Sequence, residues 1–184
     1  MDHLLSLYQV RKEAPLWWFN KSSDLRASAG TLWLGMSSDE RSKEITESLH
    51  LGDGFSIPIA VRPVYQMLCG MSLELIFKAV VVARGYKPNH VHDLPSLAER
   101  AALAYSEEER GILAVFTESI IWEGRYPVPK KEEIMDKACQ LRSAHCFTPH
   151  GKSGMFKKPN DALSWASFNS IWGRASEAFW NERS

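Results

Sequence analysis

The stretch ARGYKPNHVHDLPSL (residues 83–97) sets two histidines, His90 and His92, one residue apart, with Arg84 upstream and Asp93 directly after. An imidazole titrates near neutrality and can take up a proton, and a guanidinium can hold an oxyanion. RNA cleavage without a metal needs those two parts: a base for the 2′-hydroxyl proton and a cation at the phosphate. His92 or His90 suits the first role, and Arg84 or Arg125 the second. The same residues also have a plainer use. Asp93 is a good N-cap for a following helix, and His92 can hydrogen-bond locally in front of it.

A second set is Glu74 and Lys78, four residues apart with the acid first, on a run that is otherwise apolar. That spacing lets them pair along one helix face. Polar groups on an apolar helix are costly unless partnered, so the pair either lines a cleft with His92 and Arg125 or fixes helix packing as an ion pair. Two further patterns carry less. Cys139, His145, Cys146 and His150 are ligand-type residues without a paired Cys-x2-Cys knuckle, and Cys139 and Cys146 also have ordinary helix-core spacing; no metal or cofactor is assigned. HGKSG (150–154) lacks the phosphate-loop glycine, because Cys146 stands five residues before Gly151. With Lys152, Lys157 and Lys158 it reads as a solvated basic loop able to touch an acidic partner or an RNA backbone.

These residues must be held by helices. In 184 residues strand signals are scarce and helical ones recur. Leu25, Ala29, Leu32, Trp33 and Met36 form one apolar face. Ser37-Ser38-Asp39-Glu40 starts a short helix, and Gly52, Asp53, Gly54, Pro58 and Pro63 make residues 51–63 read as loop. The clearest helix runs from Val64 to Arg84, apolar nearly all round and ended by Gly85, which marks a buried central element. Asp93 opens the next helix, with Leu94, Leu97, Ala98, Ala101 and Ala102 facing inward. Ser106-x-x-Glu109 is a capping box for a helix that stops near Gly124. Another helix covers 131–145, an irregular loop 146–160, and a last helix carries Trp165, Phe168, Trp172, Ala175 and Phe179 as a packing stripe. The expected fold is all-α: a single-domain bundle over residues 1–184 with short connections.

Three segments in order resemble the HEPN family of helical domains: MSLELIFKAVVVARG with its Glu and Lys, HDLPSL, and the aromatic-Pro stop in WEGRYP. The resemblance covers Trp17 to Pro129, with the last helix completing the bundle and 131–160 as an inserted helix and loop. It implies an up-and-down bundle that forms a homodimer. Members include RNA-cleaving toxins and defence nucleases, partners of small nucleotidyltransferases, and nucleotide-binding domains. The family's nucleases carry R-x(4–6)-H, whose spacing Arg84-x5-His90 meets with Gly85 after the Arg. By this resemblance His92, His90, Arg84 and Arg125 are the catalytic candidates. Glu74, Lys78, Asp93 and Tyr126 are the ligand-binding ones, and RNA, a nucleotide, an antitoxin or a nucleotidyltransferase are partners. The other class is a non-catalytic helical module for dimerisation or protein interaction.

Composition bounds both readings. Hydrophobic content is 45%, and 22 Lys+Arg balance 22 Asp+Glu, giving a net charge of zero. That argues against a whole-surface grip on nucleic acid and leaves room for a local patch. Three cysteines are too few for a disulfide scaffold. MDHLLSLYQVRKEAPLWWF has no basic region followed by a continuous apolar core, so no signal peptide is expected. No run reaches roughly 20 apolar residues. A cytoplasmic protein with no membrane partner is the expectation.

Overall fold

The computed structural model describes residues 6–150 and 156–183, an all-α bundle with one small hairpin. In order these are α1 (Leu7–Glu13), α2 (Pro15–Gly35), α3 (Asp39–Ser48), α4 (Ile57–Ala83), α5 (Leu94–Arg100), α6 (Glu107–Glu118), a π-helical turn (Ser119–Glu123), α7 (Glu132–His145), β1 (Phe147–His150), β2 (Phe156–Pro159) and α8 (Trp165–Asn181).

The central helix is longer than its sequence suggests. Residues 51–63 are not all loop, since α4 begins at Ile57. Pro58 falls in its first turn, where the missing N–H has no partner to lose, and the amides of Ile59 and Ala60 bond Ser56 O. Pro63 lies inside the helix, a cost of about 3 kcal/mol. That cost is offset by the buried stretch that follows: Tyr65, Cys69, Leu73, Ile76, Phe77 and Val80 are each 1% exposed or less. With both prolines absorbed, α4 is long and apolar enough to span a membrane, contrary to the sequence expectation, but most of its apolar window is packed inside the bundle. At its far end Gly85 takes φ +81°, the left-handed stop a glycine provides.

Around α4 the other helices form a sleeve. α2 runs along it, and α8, the π turn, α5, α6 and α3 also pack on it. On α8 the stripe residues Phe168, Trp172, Ala175 and Phe179 are buried with Ile171, Trp165 is partly buried against the same core, and Phe179 stacks on Phe19 with centroids 4.6 Å apart. On α2, Ala29 is buried and Leu32, Trp33 and Met36 pack against the same core. Asp93 caps α5 and Ser106 with Glu109 forms the reciprocal box on α6. α5 stops at Arg100, so Ala102 is exposed with φ +46° rather than inward-facing.

The segment 146–160 is not simply loop. β1 and β2 pair antiparallel, Phe147 opposite Pro159 and His150 opposite Phe156. Pro149 and Pro159 argue against strands in a sheet interior, but in a two-stranded ribbon every strand is an edge and a missing N–H can face outward. Most of the HGKSG stretch falls outside the described residues. Lys157 Nζ donates to Ser143 Oγ at 2.7 Å, tying the hairpin to α7. α7 ends at His145, so Cys146 is its C-cap rather than a second cysteine on the helix face. Cys139 is exposed, Cys146 is buried, and burial pushes the Cys146 thiol up, away from the thiolate a metal requires. Among the described residues no three His, Cys, Asp or Glu side chains converge.

Candidate functional site

Spacing of three and four on α4 sets Met67, Met71, Glu74 and Lys78 along one side of the helix. A cleft of about 460 Å³ opens there, with Met67, Met71, Glu74 and Leu75 on one wall. The other is made by His92, Ile120, Ile121 and Arg125.

The walls approach closely because two glycines allow it. A Cβ at Gly70 would lie 2.8 Å from Ile120 Cγ1 and 2.9 Å from Phe116 O, and one at Gly124 would collide with Met67 Cβ. Between them α6 widens into the π turn, which the sequence did not announce. Such a turn re-aims side chains within an otherwise regular helix. Arg125 folds back on it, Nη2 donating to Ile120 O at 3.0 Å and also to Ile121 O.

Glu74 is the electrostatic centre. It is 7% exposed and Lys78 5%. Lys78 Nζ donates to Glu74 Oε1 at 2.7 Å, and His92 Nδ1 lies 3.0 Å from Glu74 Oε2. With the carboxylate accepting and the imidazole neutral, Nδ1 carries the hydrogen and Nε2 the lone pair. The His92 side chain is 59% exposed, which leaves that nitrogen accessible. Its position is fixed from the next residues: Asp93 Oδ2 accepts from the Ser96 amide, and the Leu94 amide donates to Thr117 Oγ1, each at 3.0 Å.

The sequence candidates therefore separate. Glu74, His92 and Arg125 share the cleft, with Lys78 behind Glu74. Tyr126 is exposed beside Arg125, whose guanidinium is 5.5 Å from its ring centroid. Asp93 serves as helix cap. His90 lines a different cavity. Arg84 is engaged elsewhere, donating to Glu182 Oε1 at 2.8 Å and to Ala101 O, and is not among the residues lining the cleft. The R-x5-H pair thus does not form one site here.

Residues the sequence reading missed hold the cleft's frame. Arg142 on α7 donates to Glu123 Oε1 at 3.0 Å and to Gln66 Oε1 at 2.9 Å, joining α7, the π turn and α4. Burial opposes its charge, but Glu123 outweighs burial and holds the guanidinium above its ordinary range. No pattern in the sequence links Gln66, Glu123 and Arg142; only the tertiary fold does.

Comparison with family models, curated proteins and solved structures finds no match to this chain.

Proposed function

We propose that the chain is a HEPN-like helical module that acts on RNA or a nucleotide at the Glu74–His92–Arg125 cleft, cutting RNA without a metal. The observation that carries this reading is the His92 Nδ1 contact to Glu74, which leaves Nε2 open at the mouth of an apolar cleft. Met67, Met71, Leu75 and Ile120 offer a floor for a base, and Arg125 a cation for the phosphate. His92 Nε2 takes the 2′-hydroxyl proton, the 2′-oxygen attacks phosphorus, and the 5′-oxygen leaves and takes a proton from water. Glu74 steadies the imidazolium formed in that step. A toxin, defence or regulatory setting in the cytoplasm follows the resemblance to HEPN domains, as does a partner antitoxin or nucleotidyltransferase.

The test is RNA cleavage by purified protein in EDTA. Loss of cutting in His92→Ala and Arg125→Ala, with His90→Ala and Arg84→Ala active, is the expected pattern. Intact RNA across a broad substrate mixture sinks the nuclease reading.

A second reading is a non-catalytic dimerisation module. It is favoured by the apolar lining of the cleft and by Ile121, 44% exposed at its rim. A tight homodimer indifferent to RNA, and loosened by Ile121→Lys, is its signature.

A further inference from the structure

A second cavity, about 350 Å³, lies where α1 meets the segment between α4 and α5. Arg11, Lys12 and Lys78 all line it, together with Trp18, Asn89 and His90, and among the described residues no carboxylate does. In a chain of zero net charge this gathers three basic side chains, of which Lys78 is paired with Glu74. Arg11 and Lys12 form no ion pair among the described residues; their charged groups lie over the rings of Trp17 at 4.7 Å and Tyr8 at 5.6 Å. Lys78 is nearly fully buried, yet among the described residues its ammonium, with three hydrogens to donate, has a single acceptor, Glu74. Asn89 Oδ1 is buried with no hydrogen-bond partner.

A buried ammonium short of acceptors and a buried oxygen short of a donor are both costly. Water could serve each atom, but an oxyanion that also carries a hydrogen to donate serves both and answers the charge of Arg11 and Lys12 as well. We propose that this cavity binds a phosphate group, either inorganic phosphate or a small hydroxyl-bearing phosphomonoester. Its oxygens meet Arg11, Lys12 and Lys78, and its P–OH or neighbouring hydroxyl donates to Asn89 Oδ1. Sulfate has matching oxygens but no hydrogen at neutral pH, so it cannot satisfy Asn89. Lys78 also holds the carboxylate that contacts His92, so occupancy of this cavity is felt in the cleft.

The experiment is isothermal titration calorimetry of the full chain with inorganic phosphate, glycerol 3-phosphate and sulfate at matched ionic strength. The expected result is saturable phosphate binding, weaker for sulfate and reduced at least about tenfold in Arg11→Gln/Lys12→Gln. That double variant changes only the outer α1 wall and leaves the buried Lys78–Glu74 pair in place. Tighter binding of glycerol 3-phosphate than of inorganic phosphate would assign the site to an organic ester, and the reverse to the free ion. In parallel, the His92 ring resonances should shift on phosphate addition in the parent and not in the double variant. No saturable heat, equal affinity for sulfate, or unchanged affinity in the double variant would overturn the proposal.

Discussion

The Glu74 carboxylate joins two residues that sit on different elements and in different solvent: Oε1 takes Lys78 Nζ at 2.7 Å in the interior, and Oε2 faces His92 Nδ1 at 3.0 Å at the surface. A group that buried needs a cation beside it, and Lys78, one turn on, supplies it. The consequence for stability is asymmetric. Glu74→Leu leaves an unpaired buried ammonium and Lys78→Met an under-compensated buried carboxylate, each costing about 3–5 kcal/mol. The double variant Glu74→Leu/Lys78→Met should recover most of that loss, with urea midpoints showing strong coupling. Additive losses would mean that the two charges do not compensate each other.

Function should respond to Glu74 differently. Glu74→Gln keeps the volume but removes the charge that fixes the His92 tautomer, and its amide can donate where the carboxylate only accepts. If the cleft cuts RNA, Glu74→Gln should lower the cleavage rate by about 10²-fold or more while binding changes little. An unchanged rate would separate Glu74 from the chemistry.

The close approach of α4 to the π turn depends on Gly70. Alanine there gains helix propensity of about 1 kcal/mol, but its Cβ meets a backbone carbonyl, Phe116 O at 2.9 Å, which cannot move cheaply. Gly70→Ala should therefore destabilise by about 1–3 kcal/mol and disturb the cleft. A variant as stable as the parent in denaturant would show that these walls can separate at no cost.

Much of this architecture is written locally. The caps at Asp93 and Ser106, the stop at Gly85 and the apolar stripe on α8 depend on residues within a turn or two, so pattern alone finds them. Three features are not local. The α4 start at Ile57 required an interior proline to be tolerated, which only the burial of the following residues explains. The π turn packs against Gly70 on a distant helix, and the Arg142–Glu123–Gln66 bridge spans 76 positions at its longest. Within the candidate site the pairing of Glu74 with Lys78 is a spacing rule, whereas the choice of His92 over His90 is decided by which one the chain turns toward Glu74.

Acid should weaken the α6–α8 contact. At Glu109 burial alone would raise the carboxyl, but the Ser106 amide and the Arg174 guanidinium outweigh it and hold it below its ordinary value of 4.5. With the folded value depressed, the stabilisation is fully present above the unfolded value and is lost as pH falls through the folded one. Parent and Glu109→Gln should differ in urea midpoint at pH 7 and converge as pH falls through the lowered folded value. A constant gap across that range would assign the effect to packing instead.

The last test concerns the polar contacts sealed between α2, α4 and α8. Ser22 Oγ donates to Ser72 O at 2.7 Å, Ser72 Oγ donates to Ser22 O at 2.8 Å, and the Trp172 indole N–H donates to Ser22 Oγ at 2.9 Å. Both serines are 0% exposed, so water cannot replace a lost partner. Ser22→Ala removes the acceptor of the indole and should cost about 1–3 kcal/mol. Trp172→Phe removes the orphaned donor but also opens space in the core, with a cost of its own. If the hydrogen bond is what matters, Ser22→Ala should cost markedly less on the Trp172→Phe background than in the parent. Equal costs on both backgrounds would mean that Ser22 contributes through its bond to Ser72 alone, and that the indole N–H finds another acceptor.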